Sequence, residues 1–136
     1  MDVAAAQEFI RHNHHAVMAT FRADGRPALS PMLVGVDEQG RVLISTRQTA
    51  MKVKNLRRDP RVSIVAFADG FFGEHVQAEG IAEIVELPEA MELLVGYYRG
   101  ISGEHPDWDD YRAAMEREQR VLVRFAIERA GPNRAG

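Results

Sequence analysis

The chain has 136 residues and a formal net charge of −3, with 46% hydrophobic residues, 27% charged residues and no cysteine. This length suits one domain over residues 1–136 with a single core, and the lack of cysteine excludes disulfides, thiolate metal sites and a cysteine nucleophile. The slightly negative charge argues against general binding to nucleic acid or membrane surfaces. No apolar run approaches the roughly 18 residues of a membrane span, and no signal-peptide core is evident, so we expect a cytoplasmic protein.

The first part of the chain predicts one helix and three strands. The helix covers residues 1–12 at most, and the apolar stretch His15–Phe21 predicts the first strand. A turn at "ADGR" leads to a second strand over residues 28–37, in which Pro31 favours an edge position or a bulge. After a turn at "EQGR", the stretch "VLIST" predicts the third strand. These short connections are typical of hairpins.

The next element is a short basic helix. Thr49 is expected to cap it, the helix is expected to run from Ala50 to about Arg58, and Asp59-Pro60 ends it. A strand over 61–69 and a turn over 70–74 are predicted next, followed by a long strand over 75–86 with a bulge at Gly80. Two helices are then predicted, over 88–99 and over 107–117, and Asp107 is expected to cap the second. The chain is expected to end with a strand over 120–128 and a frayed tail over 130–136.

This order of elements favours a mainly β (α+β) protein. Hairpin connections predict a mostly antiparallel sheet, and the absence of strand–helix–strand alternation argues against a doubly wound sheet. We therefore expect a small six-stranded antiparallel β-barrel with peripheral helices, closed in Greek-key fashion by the last strand.

Positive charge is concentrated in the segment "STRQTAMKVKNLRRDPRV", which runs from Ser45 to Val62. It contains six basic residues and one acidic residue. Its net charge is therefore about +5, and the rest of the chain sums to about −8. In the predicted helix, Ala50, Val53 and Leu56 form an apolar stripe that can face the barrel.

A second set in this helix suits an anion. Thr49, Lys52 and Asn55 recur at spacing three, beside the free backbone N–H groups of the helix N-terminus, and such a group of donors can hold a phosphate. A plain surface helix solvated by its lysines is an equally good interpretation. Nucleic acid is a poorer one, because no aromatic residues interleave the charges.

Three other stretches have simpler explanations. Arg26 and Ser30 lie near a hairpin turn and a strand edge that Pro31 interrupts. The free backbone groups of such an edge could bind the edge of a planar ring, or the segment could be an ordinary turn. The histidines of "HNHH" straddle a helix–strand junction without an acidic partner, so we predict no metal site. "EHPDWDDY" is the start of a helix, with acidic residues in its first turn. No nucleotide-binding or hydrolase motif occurs, which favours chemistry performed by a bound cofactor.

The stretches "HAVMATFRADGRPALSPM", "VLISTRQTAMKVKNLRRDPRVSIVA" and "AEGIAEIVE" resemble the split-barrel flavin-binding family that includes pyridoxamine 5′-phosphate oxidase. The later stretch "YYRGISGEHPDWDDYRAAMEREQRVLVRF" is similar to the B-type flavin/deazaflavin oxidoreductases, which use coenzyme F-420. The resemblance covers roughly residues 8–130. It implies a six-stranded Greek-key split barrel and a homodimer with two cofactor sites at its interface. The substrate-binding Arg-x-His pair of the oxidase members is missing near the C-terminus, which argues against pyridoxamine phosphate oxidation.

The resemblance also implies which residues bind the cofactor. Those assigned to the phosphate and its neighbouring groups are Thr49, Met51, Lys52 and Asn55. Those assigned to the ribityl chain and the ring are Ser45, Thr46, Ser30, Pro31, Met32, Gln77 and Ala78. Those assigned to the anionic tail are Arg26, Lys54, Arg57 and Arg58. Trp108 is expected in the partner subunit's wall of the site. No catalytic side chain is implied.

The implied reaction is transfer of a hydride from reduced F-420 to an unsaturated organic acceptor, such as a tetrapyrrole like biliverdin, a quinone or an enone. Two alternatives remain. One is an FMN-dependent oxidase or reductase of the same fold, and the other is a non-catalytic F-420-binding protein.

Overall fold

The computed structural model describes residues 1–70 and 73–132. It contains four helices and nine strands in these ranges. The helices are α1 (Val3–His12), α2 (Met51–Arg58), α3 (Ala90–Ser102) and α4 (Trp108–Arg117), and the strands are β1 (His15–Phe21), β2 (Pro27–Leu33), β3 (Gly35–Val36), β4 (Val42–Arg47), β5 (Arg61–Phe67), β6 (His75–Ile81), β7 (Glu83–Val85), β8 (Arg120–Phe125) and β9 (Arg129–Gly131).

The strands form two antiparallel sheets. The five-stranded sheet has the order β2-β1-β5-β6-β9, and the four-stranded sheet has the order β3-β4-β8-β7. The expected α+β class and antiparallel pairing are confirmed. Pro31 lies in an edge strand, as predicted, where a residue without an N–H group is tolerated.

The expected count of six strands needs a correction. The six strand segments are present, but two of them divide, and each sends its two parts to different sheets: β2 and β3, and β6 and β7. A ninth strand, β9, forms beyond the predicted last strand and joins the five-stranded sheet. The bend at Ala82 is fixed by a hydrogen bond of 2.8 Å from its N–H to the oxygen of Pro60. The closed barrel and its Greek-key order stay predictions.

Two local predictions are wrong. Gly80 is not a bulge, because it pairs in register with Val62. Its missing side chain serves another purpose, since a Cβ there would collide with the backbone oxygen of Ala126. The predicted tail is not frayed at its start, because Arg129–Gly131 forms β9 against β6. The rest of the predicted tail, residues 133–136, lies outside the described residues, as do residues 71 and 72 of the predicted turn.

The main core lies between the two sheets and is closed by α1 and α2. Ile10 of α1 and Leu56 of α2 both pack into it. These helices sit at opposite ends of β1, because α1 leads directly into its first residue and Asn55 of α2 bonds to Thr20 near its last. The core therefore fixes α2 against one end of the five-stranded sheet.

The two sheets differ in how their outer faces are covered. A second apolar cluster, with Leu43 and Leu122 at its base, packs α3 and α4 onto the four-stranded sheet. No described helix covers the outer face of the five-stranded sheet. Leu29, Leu33 and Ile81 are 67%, 44% and 50% exposed there, because β-strand alternation turns them away from the core. This uncovered apolar sheet face is called the outer face below.

Candidate functional site

The two sheets separate between β2 and the second half of β4. Strand β3 pairs with β4 only at Val42 and Leu43, so the same edge of β4 has no strand partner from Ser45 to Arg47 within the described residues. Strand β2 turns away to pair with β1. At the head of this gap, the Tyr97 hydroxyl donates a 2.9 Å hydrogen bond to the oxygen of Leu33. The gap thus leaves free backbone groups on two strand edges.

Tyr97 is a structural residue that the sequence did not single out. It comes from α3, far along the chain from the gap, and burial raises the pKa of its hydroxyl. An amphipathic helix with two adjacent tyrosines gives no signal that one of them reaches a strand end more than 60 residues earlier. Only the fold brings it there.

The residues expected along the ring are divided by the pleat of β2. Ser30 and Met32 point inward and are half-buried, and Met32 packs on the main core. Pro31 lies on the outer face between the exposed Leu29 and Leu33. The three side chains therefore do not share one surface, although they share one free strand edge.

The residues expected along the ribityl chain are likewise divided. Thr46 is 4% exposed and lies on the same side of β4 as Ile44 in the main core. Ser45 lies on the opposite side and is half-buried. The end of β4 can therefore offer the Ser45 hydroxyl or its backbone edge, whereas the Thr46 side chain lies toward the core.

Helix α2 begins one residue later than predicted. Its N-cap is Ala50, with φ −63° and ψ 144°, and no side chain caps the helix. Thr49 is therefore not the cap, which corrects the prediction. Its hydroxyl is exposed and unbonded among the described residues. No side chain occupies the helix N-terminus, and the N–H of Val53 already donates to the oxygen of Ala50. The N–H groups of Met51 and Lys52 are therefore the ones available to an external acceptor.

Lys52 lies in this first turn, on the inward side of α2. At about 100° per residue, its position on the helix falls between those of Asn55 and Leu56, which are 1% and 3% exposed. Lys52 itself is half-buried. Its ammonium has no hydrogen bond or ion pair within residues 1–70 and 73–132. A lysine can bury its methylene stem while its ammonium stays accessible, so Lys52 can present its charge at the helix N-terminus.

Asn55, one turn further on, is placed differently from the prediction. Its amide nitrogen donates a 3.1 Å hydrogen bond to the Thr20 hydroxyl, and its side-chain oxygen accepts one of 3.1 Å from Arg58. Both groups are enclosed by the fold. Asn55 therefore joins α2 to β1 and has no free amide for a phosphate. The expected burial of Val53 and Leu56 is confirmed.

The arginines of the basic segment are all engaged within the chain. Arg57 pairs with Glu86, and Arg58 also donates to the oxygen of Phe21 at 2.8 Å. Arg61 binds Asp59 at 2.7 Å, and its hydrogen bonds hold the pKa of that carboxyl below its usual value. Arg47 lies 3.6 Å from Glu118. Among the described residues, this leaves the two lysines, Lys52 and Lys54, as the cations of the segment without partners.

The outer face holds the remaining candidates from β6. Gln77 is exposed on it, and its amide contacts Glu79 at 3.3 Å. Ala78 points the other way and is 0% exposed, so its side chain lies in the core and cannot contact a ligand on this face. Arg26 lies in the exposed β1–β2 turn, 4.0 Å from Asp24. Shallow depressions of about 290–410 Å³ run along the outer face, lined chiefly by apolar side chains.

Comparison with known proteins identifies the family. Residues 3–133 match the family model described as pyridoxamine 5′-phosphate oxidase. The chain belongs to the pyridoxamine 5′-phosphate oxidase family. The expected family resemblance is thereby confirmed over almost the whole chain.

Solved structures with the same fold agree with this family. A conserved hypothetical protein from Mycobacterium tuberculosis is 31% identical with a TM-score of 0.78, covering 96% of this chain and 82% of its own. A protein of unknown function from Agrobacterium tumefaciens is 18% identical with a TM-score of 0.73, covering 96% and 55%. An F-420 reductase is 17% identical with a TM-score of 0.71, covering 92% and 94%. The last two likenesses show the fold alone.

Trp108 packs within its own chain in this member of the pyridoxamine 5′-phosphate oxidase family. Its ring lies 5.7 Å from that of Tyr98 and 5.5 Å from that of Tyr111, and its indole N–H donates to Glu104 at 3.0 Å. Burial raises the pKa of Tyr111 to about 12. As predicted, Asp107 caps α4, accepting from the N–H of Asp110 at 3.1 Å. A place for Trp108 in a partner's site stays a prediction.

The histidines of "HNHH" make separate contacts. His12 pairs with Glu8 at 3.0 Å, and His14 Nδ1 donates to the oxygen of Val34 at 2.8 Å. Within the described part of the chain, no three histidine or acidic side chains converge as metal ligands. No helix there is both long enough and apolar enough to cross a membrane.

Proposed function

We propose that the protein is an F-420-dependent oxidoreductase that transfers a hydride from the reduced deazaflavin to an unsaturated organic acceptor. Membership of the pyridoxamine 5′-phosphate oxidase family supports a flavin-type cofactor. The likeness in fold to an F-420 reductase is compatible with the deazaflavin. The observation that carries the proposal is the ammonium of the half-buried residue Lys52, which has no partner among the described residues and lies beside an open helix N-terminus.

These donors fit a phosphate group. Lys52 and the first-turn N–H groups of α2 would bind its oxygens, and the Thr49 hydroxyl would add a further hydrogen bond. Each charge-assisted hydrogen bond contributes roughly 1.5–3 kcal/mol. Lys54, exposed on the same helix, would face the anionic tail that F-420 carries beyond its first phosphate. The engaged Arg57 and Arg58 are left out of this proposed set.

The proposed site is completed by a second subunit. The outer face exposes apolar side chains that a homodimer would bury, and large exposed apolar patches mark such contacts. The free edge of β2 borders both this face and the gap beside β4. In the proposed dimer, the free backbone edge of β2 from Ser30 to Met32 and the side chains of Pro31 and Gln77 would border the cofactor ring, with Ser45 beside its ribityl chain.

F-420, when bound, would supply the two electrons of the reaction as a hydride, and the accompanying proton would come from solvent. The residues of this chain would hold the cofactor, orient its ring against the acceptor and exclude water through the apolar walls of the dimer interface. No covalent or acid–base role is assigned to any side chain. Binding and positioning by the protein therefore account for its proposed part in the reaction.

A paired titration tests the cofactor. The protein is titrated with F-420 and with FMN, following fluorescence, at low and at high salt. We expect tighter binding of F-420 and a clear loss of affinity at high salt, since the tail of F-420 carries several negative charges. Preferred binding of FMN, or a yellow purified protein with a flavin absorbance spectrum, would instead support the FMN-dependent alternative.

A turnover assay then tests the reaction. Reduced F-420 is mixed with biliverdin, a quinone or an enone, and its oxidation is followed by absorbance with and without the protein. We expect steady turnover with at least one acceptor class. Tight F-420 binding without turnover of any acceptor would favour the non-catalytic binding protein.

A further inference from the structure

A separate cavity of about 330 Å³ lies at the end of β1 opposite α2. It is bounded by the end of α1, by β3 and by α3, and the "HNHH" stretch borders it. Helix α3, which covers the four-stranded sheet, forms one of its walls, so the cavity is not part of the outer face. Its volume falls within the range of small-molecule sites.

Two polar side chains in this cavity have unused binding capacity. Arg11 is exposed and makes no hydrogen bond or ion pair with the described residues. His14 is held by its bond to the oxygen of Val34. Because a carbonyl can only accept, Nδ1 of His14 carries the proton, and Nε2 of the neutral ring is left as an acceptor without a protein partner in the described ranges.

The wall of the cavity formed by α3 has few side chains. Gly96 and Gly100 are one turn apart and both line the cavity. A Cβ added at either position would meet no atom within 4 Å, so the space beside this helix is open. Two glycines in a helix interior are unfavourable for the helix itself, which points to a use for the exposed backbone surface. Leu43 and the ring of Tyr97 supply apolar lining.

We propose that this cavity is a second ligand site, which binds an aromatic carboxylate bearing a hydroxyl group. The Arg11 guanidinium binds the carboxylate. Nε2 of His14 accepts a hydrogen bond from the hydroxyl. The flat ring of the ligand lies against the backbone of α3 at Gly96 and Gly100, where side chains would exclude it. The site is independent of the proposed cofactor site at α2.

The proposal is tested with 4-hydroxybenzoate as the probe. The ¹⁵N-labelled protein is titrated, and amide shifts are followed at Gly35, Gly96 and Gly100. Benzoate lacks the hydroxyl donor, and 4-hydroxybenzamide lacks the charge. We expect saturable shifts at the three glycines with 4-hydroxybenzoate, and affinities about tenfold weaker for each comparator, as one lost hydrogen bond to a charged or oriented group predicts.

Matched variants locate the binding. Arg11→Gln removes the cavity cation, and Arg22→Gln removes an equally exposed arginine from the β1–β2 turn. We expect Arg11→Gln to weaken binding about tenfold and Arg22→Gln to leave it unchanged. Gly96→Leu should abolish binding while keeping the protein folded, since leucine favours helix and enters open space. If that variant does not fold, Gly100→Ala replaces it with the same expectation of weaker binding.

Two results would overturn the proposal. The first is the absence of shifts at the three glycines, or shifts confined to the outer face. The second is an equal loss of affinity in Arg11→Gln and Arg22→Gln, because attraction by net charge alone would then explain the binding.

Discussion

Lys52 and Asn55 lie one turn apart on the same inward side of α2, yet the protein uses them differently. Asn55 is enclosed against β1 and bonded to Thr20 and Arg58. Lys52 is half-buried at the open end of the helix and has no partner among the described residues. The contrast teaches that a buried polar side chain with complete hydrogen bonds serves the stability of the fold, whereas one without partners points to a bound ligand.

The largest expected effect is on cofactor binding. Lys52→Ala should weaken F-420 by about 1.5–3 kcal/mol, or roughly 10- to 150-fold, because a charge-assisted hydrogen bond is lost. Unfolding in urea should change by less than about 0.5 kcal/mol, since no internal contact is removed. A folded variant with wild-type affinity would remove Lys52 from the site.

Asn55→Ala should have the opposite effect to Lys52→Ala, because it should lower the stability of the fold. It leaves the Thr20 hydroxyl buried without its partner, so the free energy of unfolding should fall by about 1–3 kcal/mol. Urea denaturation measures the loss. A double-mutant cycle with Thr20→Val isolates the hydrogen bond, and additive effects of the two substitutions would show that the two side chains do not act together.

A smaller effect is expected in acid at the far end of α2. Hydrogen bonds from Arg61 lower the pKa of Asp59 in the folded state. A carboxyl whose pKa is lowered by folding stabilises the folded state at a pH above its pKa in the unfolded chain, which is about 3.9. This stabilisation is lost as the pH falls through the carboxyl's pKa in the folded state. The stability gap between wild type and Asp59→Asn should therefore narrow below about pH 4 in urea titrations. A constant gap from pH 7 to pH 2 would contradict the ion pair.

The smallest change is expected at Thr49. If this residue were the helix cap, its replacement by alanine would cost about 1 kcal/mol of stability. Because Ala50 is the N-cap and no side chain caps α2, Thr49→Ala should leave the unfolding free energy within about 0.5 kcal/mol of wild type. A loss near 1 kcal/mol in thermal or urea unfolding would restore the capping role.

Local sequence patterns predicted much of the fold. A stretch rich in apolar and β-branched residues identified His15–Phe21, and Asp107 followed by acidic residues identified the start of α4. The division of two predicted strands between the sheets could not be predicted, because the alternation of side chains continues through a bend such as that at Ala82. What changes there is the pairing partner, which depends on distant parts of the chain.

The site was predictable in part for a related reason. Helical spacing grouped Lys52 with Asn55, and both do lie on one side of α2. Spacing along a helix does not show what the helix packs against. It could therefore not predict that Asn55 is hydrogen-bonded to Thr20 or that Arg57 is paired with Glu86. Family resemblance identified the segment, and the internal contacts distinguish its free cations from its engaged ones.

The most direct test compares two cations of this helix. Lys52→Ala and Arg57→Ala each remove one positive charge from α2, and F-420 affinity is measured for both by fluorescence at one salt concentration. The account predicts a loss of at least about tenfold for Lys52→Ala and less than about threefold for Arg57→Ala, whose side chain is already paired with Glu86. Equal losses would contradict a defined phosphate site and would indicate general attraction to a basic helix.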